Sequence, residues 1–195
     1  MVKYFNLRTL SFTKWLIAGA KKRFPCVACP KFWIMRWFLS FLLLATLSSH
    51  AGDTAKLYNP AANVAKDLST AVSRARREGK HVMIQVGGNW CIWCYRFNGF
   101  VESDPALKRY RDSNYIVYHL NYSKENRNLP ALKKLGFPQR FGFPVFVILD
   151  GKGNRLHTQN SSYLELDKGY DAAKVKEFFM QWAPAALDEK AYREQ

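Results

Sequence analysis

The fold of this chain is indicated most clearly by the stretch His81-Val82-Met83-Ile84-Gln85-Val86-Gly87-Gly88-Asn89-Trp90-Cys91-Ile92-Trp93-Cys94. Its first half is a mostly apolar run suited to a buried strand, and Gly87-Gly88-Asn89 is typical of a turn. The two cysteines follow at C-x-x-C spacing, where a predicted helix runs from Cys91 to about Phe100. Cysteines at that spacing can close a disulfide with little backbone movement, and a helix N-terminus favours the thiolate of the first one. Because a thiolate is the attacking group in thiol–disulfide exchange, the stretch predicts redox chemistry.

The other elements are predicted from hydrophobic periodicity and turn residues. Helices are predicted over Ala61 to Glu78, from Ser103-Asp104-Pro105 to about Asp112, around Leu129 to Leu135 and over about Asp171 to Trp182. Further strands are predicted over Tyr115 to Asn121, Pro144 to Leu149 and Arg155 to Gln159, with a hairpin turn at Asp150 to Asn154. This order predicts an α/β fold with a central mixed sheet of four to five strands flanked by helices on both faces.

The N-terminal quarter has a composition of its own. The 195-residue chain carries a formal net charge of +15, but residues 1–51 hold eight Lys or Arg and no Asp or Glu. Within them, Met35-Arg36, the apolar run Trp37 to Leu47 and the small residues Ser49 and Ala51 match a signal peptide and its cleavage site. We predict a signal peptide over 35–51, an upstream extension from a mis-assigned start over 1–34, and an exported domain over 52–195. An uncleaved N-terminal anchor is the alternative.

The cysteine count favours catalysis over a structural staple. A second C-x-x-C, Cys26 to Cys29, lies in the upstream extension without a strand–helix context or further metal-ligand pattern. Cleavage after Ala51 would leave Cys91 and Cys94 as the only cysteines of the exported protein. An exported chain whose only thiols form one C-x-x-C is more consistent with a reactive pair than with a structural disulfide.

Together with Gly142-Phe143-Pro144-Val145, which opens the third predicted strand, the Trp-Cys-x-x-Cys helix resembles the thioredoxin superfamily over about residues 56–185. The stretch from Val82 to Pro105 is most similar to the periplasmic C-terminal domain of the transmembrane thiol:disulfide interchange protein. It is also similar to stand-alone thioredoxin-like proteins with a Trp-Cys-x-Trp-Cys motif. The resemblance implies a periplasmic protein-disulfide oxidoreductase with a cis-proline at Pro144. It implies no cofactor beyond the redox-active Cys91–Cys94 disulfide, and no metal.

The resemblance also implies roles for individual residues. Cys91 is expected to attack a substrate disulfide, and Cys94 to resolve the mixed disulfide. A substrate groove is expected where an extended segment can pair as an added strand, lined by Trp90, Trp93, Phe143, Pro144 and Val145. Its partners would be protein thiols or disulfides and a redox partner such as a membrane thiol:disulfide interchange protein, with the chain acting as a monomer and binding no nucleic acid.

Three positions depart from the family pattern in proton handling. Where family members carry acids, this chain has Gln85 on the first strand and Asn98 after the second cysteine. Amides can hydrogen-bond but cannot ionise, and losing nearby carboxylates should lower the cysteine pKa values. This favours a more oxidising or isomerising poise than that of thioredoxin. His119 on the second strand is a candidate proton acceptor, and a strand histidine satisfied by local hydrogen bonds is the alternative.

Three other functions compete with redox catalysis. Cys91 and Cys94 could ligate copper, although no accompanying histidine or second cysteine cluster supports a metal site. The Arg74, Arg76 and Arg77 cluster could bind an anionic surface, but charge alone is no nucleic-acid motif and export argues against one. A thioredoxin-like chaperone or assembly factor without redox turnover is the third alternative.

Overall fold

The computed structural model describes residues 56–193. The helices are α1 (Val64–Glu78), α2 (Ile92–Ser103), α3 (Pro105–Asn114), α4 (Leu129–Lys134) and α5 (Ala172–Gln181). The strands are β1 (His81–Gly87), β2 (Tyr115–Asn121), β3 (Val145–Leu149), β4 (Arg155–Asn160), β5 (Glu165–Leu166) and β6 (Gly169–Tyr170). Short 3-10 helices occupy Pro138–Phe141, Ser161–Leu164, Pro184–Leu187 and Glu189–Tyr192. The predicted signal peptide, the 1–34 extension and the Cys26–Cys29 pair lie outside the described residues.

The main sheet is mixed, as the sequence predicted. Its strand order is β2-β1-β3-β4, and β5 and β6 form a separate two-stranded ribbon. Strand β1 pairs in parallel with β2 and antiparallel with β3, which pairs antiparallel with β4. Strand β1 is therefore central, and all seven of its residues are buried. A central strand with both faces covered needs the continuous apolar run that the sequence has there.

Alternate residues of the strands enter two separate cores, one on each face of the sheet. On one face Val82, Ile84 and Val86 pack with α1 and α4. On the other face Met83 packs with apolar residues of α2, α3 and α5, among them Phe97 and Phe179. Helices thus cover both faces of the sheet. Gln85 follows Met83 by two residues and lies on the α2 side.

Local signals begin and end the helices near the site. Cys91 is the N-cap of α2, and Asp104 caps α3 by accepting hydrogen bonds from the backbone N–H groups of Ala106 and Leu107. Pro105 then occupies the first turn of α3, where its missing N–H costs no hydrogen bond. Helix α1 ends at Glu78 and is capped by Gly79, whose φ of 64° lies in the left-handed region that glycine adopts readily.

Within residues 56–193, no helix is long and apolar enough to cross a membrane. The same part of the chain contains no group of three or more His, Cys, Asp or Glu side chains placed to hold a metal ion.

Candidate redox site at the start of helix α2

The two cysteines of the C-x-x-C motif are bonded to one another. Cys91 and Cys94 form a disulfide across Cα atoms 5.3 Å apart. Cys91 is 4% exposed and Cys94 is fully buried, so the first cysteine is the one that solvent reaches. Cys91 Sγ accepts a hydrogen bond of 3.2 Å from the backbone N–H of Cys94. After reduction, this N–H and the positive end of α2 would both stabilise a thiolate at Cys91.

Tyr58 packs against the buried side of the disulfide. Its side chain is 1% exposed and forms a small cluster with Cys91 and Cys94. Gln85, also buried, donates from Nε2 to Tyr58 Oη at 2.9 Å and to the carbonyl oxygen of Cys94 at 3.1 Å. Gln85, the amide predicted to face the cysteines, therefore bonds to the backbone of Cys94 and to the Tyr58 phenol. Among the described residues, neither of these two hydrogen bonds reaches a sulfur.

Asn89 ties the segment containing Tyr58 to the loop before the C-x-x-C. Asn89 Oδ1 accepts from the backbone N–H of Tyr58 at 3.0 Å, and its Nδ2 donates to the Tyr58 carbonyl at 2.9 Å. Asn89 Oδ1 also accepts from Tyr95 Oη at 2.8 Å. Tyr95 Oη in turn accepts from the backbone N–H of Leu57 at 3.3 Å. We call Leu57 and Tyr58 the strap, because two residues that flank the cysteines hold it in place.

Gly87 makes room for the strap. A Cβ on this residue would lie 2.4 Å from Cys94 Sγ and 2.7 Å from Tyr58 Oη, closer than carbon can approach either atom. The last residue of β1 must therefore be glycine for the phenol and the sulfur to occupy these positions. Sequence reasoning missed Tyr58, since a lone tyrosine ahead of the first helix carries no periodic or motif signal. The glycine after an apolar strand was the available sign of a close approach.

His119 lies beside Gln85 on the neighbouring strand, facing the ring of Tyr58. The two strands are in register at Gln85 and His119, and the His119 and Tyr58 rings meet edge to face with centroids 5.5 Å apart. Its buried Nε2 has no hydrogen-bond partner among the described residues. Burial, reinforced by the positive charge of Arg111, lowers the pKa of His119 to about 4. The imidazole is therefore neutral at physiological pH.

Asn98 is the second amide that was predicted to influence the thiols. It is half-buried on α2, one turn beyond Cys94, and in the described part of the chain its side chain forms no hydrogen bond with either cysteine. Among the described residues, Gln85 is thus the amide whose side chain hydrogen-bonds a cysteine of the pair.

An aromatic rim lies on the solvent side of the disulfide. Trp90 is 57% exposed, donates from Nε1 to the Tyr122 carbonyl at 2.7 Å and packs edge to face on Phe143 at 5.2 Å. Phe143 stacks in turn on Tyr122 at 4.9 Å and packs against the cysteine cluster. A cavity of about 230 Å³ beside Trp90 is lined by Tyr122, Ser123, Lys124 and Arg127.

Trp93, which lies between the two cysteines in the sequence, also packs beside the disulfide. It is half-buried, packs against the cysteine cluster and meets Tyr170 edge to face at 5.8 Å. Tyr170 Oη donates to the Trp93 carbonyl at 3.2 Å, and the guanidinium of Arg96 lies 4.8 Å from the centre of the Trp93 ring. Trp93 is thus held by neighbours on both sides, whereas Trp90 is largely free to contact another molecule.

The predicted groove residues after Phe143 differ in what they can offer a substrate. The Phe143–Pro144 peptide bond is cis, and Pro144 is buried. Val145 is fully buried in the sheet core and pairs with both Val86 and Asn160. The prediction that Val145 lines the groove is therefore wrong for its side chain, because β3 is an inner strand whose residues face the two cores.

Comparison with known proteins agrees with this geometry. Residues 62–151 match a family model described as thioredoxin-like. The chain is 27% identical over 90 residues to the thiol:disulfide interchange protein DsbD of Cronobacter sakazakii, covering 46% of this chain and 15% of that protein. It is 29% identical over 100 residues to the DsbD of Pectobacterium atrosepticum, covering 51% and 16%. The chain thus spans only about a sixth of the length of these curated relatives.

A solved structure extends the likeness to the fold. The disulphide isomerase from Xylella fastidiosa Temecula1 superposes with a TM-score of 0.57 at 19% identity, covering 64% of this chain and 95% of that one. The mixed sheet with helices on both of its faces is the feature of the fold that this likeness supports. Residues 62–151 therefore match a thioredoxin-like family model, and the described residues have a thioredoxin-like fold.

Proposed function

We propose that this protein is an exported thiol–disulfide oxidoreductase that exchanges disulfides with protein substrates through Cys91 and Cys94. The observation that carries the proposal is the position of Cys91: it caps α2, is bonded to Cys94 and lies beside the exposed Trp90. The thioredoxin-like domain and its likeness to two thiol:disulfide interchange proteins support the same chemistry.

In the reducing direction the reaction begins with the Cys91 thiolate. Cys91 Sγ attacks one sulfur of the substrate disulfide, and the other substrate sulfur leaves as a thiolate and takes a proton from water. Cys94, deprotonated to its thiolate, then attacks Cys91 Sγ in the mixed disulfide. The bond between Cys91 and the substrate breaks, the second substrate sulfur leaves, and the Cys91–Cys94 disulfide forms. The reverse sequence oxidises a substrate dithiol.

Substrate contact would fall on the aromatic rim. Trp90 presents a large exposed apolar surface next to Cys91, and partly buried Phe143 extends it. Large aromatic side chains provide much of the binding energy at protein interfaces. Lys124 and Arg127 line the adjoining cavity, so acidic residues next to the substrate cysteine would be favoured. The nucleophile and the binding surface together suit a protein substrate.

The redox poise is proposed to be more oxidising than that of thioredoxin. The side chains around the sulfurs include Tyr58, Gln85, Trp93 and Phe143, none of which carries a negative charge at neutral pH. Without a like charge beside it, a thiolate forms more readily, and a stabilised reduced form makes a stronger oxidant. We expect a potential less negative than thioredoxin's, about −270 mV, in a glutathione titration. A value at or below that figure would contradict this poise.

We further propose that the domain acts in the periplasm as a monomer and exchanges electrons with a membrane thiol:disulfide interchange protein. The basic, apolar N-terminal stretch supports export, and the likeness to the interchange proteins supports a redox partner of that class. The redox-active Cys91–Cys94 pair would then be the sole cofactor, with no metal.

Turnover of insulin disulfides, with dithiothreitol as the electron source, tests the function. The protein should accelerate insulin reduction, and Cys91→Ser should abolish the acceleration because the attacking sulfur is gone. Cys94→Ser should retain one round of attack and then stall as the mixed disulfide. Equal rates for the wild type and Cys91→Ser would refute redox turnover and favour a chaperone or assembly role.

A further inference from the structure

Tyr58 is the one hydroxyl-bearing side chain in the cluster formed around the disulfide sulfurs. Asn89 holds the Tyr58 backbone through both the N–H and the carbonyl, which fixes the Cα from which the ring enters the site. Cys94 Sγ and Tyr58 Oη both border the space left by Gly87, at 2.4 and 2.7 Å from the position that its Cβ would take. The two atoms are therefore no more than about 5 Å apart, the sum of those distances.

The hydrogen bonds of Gln85 fix what the phenol can do. A carbonyl oxygen only accepts, so Gln85 must point its Nε2, and not its oxygen, at the carbonyl of Cys94. The same nitrogen donates its second proton to Tyr58 Oη. The phenol is thus an acceptor towards Gln85, and its own proton is directed elsewhere. Among residues 56–193, no acceptor for that proton is found.

Burial settles the protonation state of the phenol. It raises the pKa of Tyr58 far above its ordinary value, with only partial relief from the Gln85 hydrogen bond. Tyr58 therefore keeps its proton at any physiological pH and cannot act as a base towards the Cys94 thiol. What it can offer a neighbouring sulfur is a hydrogen bond to a thiolate, the stronger, charge-assisted kind.

We propose that Tyr58 is a catalytic residue that donates its phenol hydrogen bond to the reacting thiolate of Cys94 once the disulfide is opened. This role rests on the proposed function, because it concerns the resolving step. The Cys94 thiol releases its proton to water, and Tyr58 Oη holds the resulting thiolate. Cys94 Sγ then attacks Cys91 Sγ, the substrate sulfur leaves as a thiolate and is protonated by water, and Tyr58 retains its own proton throughout.

The role explains why two neutral side chains suffice at a site without a carboxylate. A nearby acid would take the proton of Cys94, whereas Tyr58 lowers the free energy of the thiolate left behind. Gln85 is then needed as a donor: a carboxylate at this position would face the carbonyl oxygen of Cys94 with no proton to share. Tyr58, Gln85 and Gly87 thus form one device, in which the glycine provides the space, the amide orients the phenol and the phenol stabilises the sulfur.

The test compares Tyr58→Phe with Tyr115→Phe in the full chain. Tyr115 provides a matched control, because it is a buried tyrosine whose hydroxyl donates to the Phe179 carbonyl at 2.7 Å, in the core formed by α5. Tyr58→Phe should move the dithiol–disulfide equilibrium with glutathione about tenfold towards the disulfide, which is about 30 mV for a two-electron couple. It should also slow single-turnover resolution about tenfold at neutral pH and shift the midpoint of its pH profile upward. Tyr115→Phe should change none of these.

If Tyr58→Phe keeps the wild-type equilibrium constant and pH midpoint while losing only stability, the phenol merely fills space and the proposal is overturned. Should the variant not fold, ¹³Cζ resonances of labelled tyrosine in the wild-type protein decide instead. The Tyr58 signal should shift on reduction and follow the titration of Cys94, and an unchanged signal would overturn the role. The glutathione equilibrium needs no protein substrate, so it remains decisive even if insulin turnover fails.

Discussion

Replacing Gly87 by alanine tests the packing beneath the disulfide. The new Cβ would lie 2.4 Å from Cys94 Sγ, 2.7 Å from Tyr58 Oη and 3.0 Å from Tyr58 Cζ. Neither neighbour is the free end of a flexible chain, because the sulfur is bonded to Cys91 and the strap is tied to Asn89. Inserting a methyl into such a site costs about 1–3 kcal/mol through displaced side chains and backbone.

Gly99 provides the control for the intrinsic effect of the same substitution. It lies within α2, exposed, with nothing within 4 Å of the position that a Cβ would take. Gly99→Ala should stabilise the protein by about 0.5–1 kcal/mol, since alanine has the higher helix propensity. The two glycine-to-alanine changes should therefore differ in sign.

Urea denaturation of the oxidised protein measures both variants. At an unchanged m-value, the midpoint should fall for Gly87→Ala and rise slightly for Gly99→Ala. Ordinary surface substitutions change the free energy of unfolding by no more than about 0.5 kcal/mol. If the free energy of unfolding of Gly87→Ala lies within that range of the wild-type value, Tyr58 and Cys94 are not packed as described.

Three further predictions concern the strap, the buried histidine and the aromatic rim. Asn89→Ala removes three side-chain hydrogen bonds, two of them to the Tyr58 backbone, and should cost about 2–4 kcal/mol in urea denaturation; unchanged hydrogen-exchange protection of the Tyr58 N–H would count against the strap. His119 has a folded pKa of about 4, below its unfolded value of 6.5, so its contribution to stability is complete above pH 6.5 and is lost as the pH falls through 4. His119→Gln should remove up to about 3 kcal/mol of that acid sensitivity, and an NMR titration of His119 near 6.5 would refute the assignment. Trp90→Ala should slow exchange with a protein disulfide about tenfold but leave exchange with oxidised glutathione within about twofold, because Trp90 contacts the substrate chain and not the reacting sulfurs; equal losses with both substrates would show that Trp90 supports the cysteines instead.

The sequence predicted those elements whose signals are local. Strand β2 was predicted over the residues it occupies, and α3 begins at Pro105, directly after its cap Asp104, as expected. A cap, a proline in the first turn and an apolar run are each encoded within a few residues, so they can be read without tertiary structure. Strands β5 and β6, two residues each, are too short to produce any pattern.

The site was predictable in its reactive atoms but not in their supports. The C-x-x-C spacing gave Cys91 and Cys94 directly, and the resemblance identified Gln85 as a departure. That Gln85 contacts the Cys94 carbonyl and a phenol depends on contacts across 9 and 27 residues. Tyr58 is held beside the disulfide by Asn89, which is 31 residues away and binds its backbone. Val145 was misassigned because the motif locates a residue along the chain and does not tell which side of an inner strand its side chain faces.

Trapping with single-cysteine variants tests the central claim, that Cys91 attacks protein disulfides and Cys94 resolves the product. Reduced Cys94→Ala, incubated with a protein disulfide and then alkylated, should accumulate a mixed disulfide that peptide mapping places on Cys91. Mapping also separates this adduct from any formed at Cys26 or Cys29. Cys91→Ala should give no adduct at Cys94, which is fully buried. An adduct on Cys94 in that variant, or none on Cys91 in the first, would contradict the account.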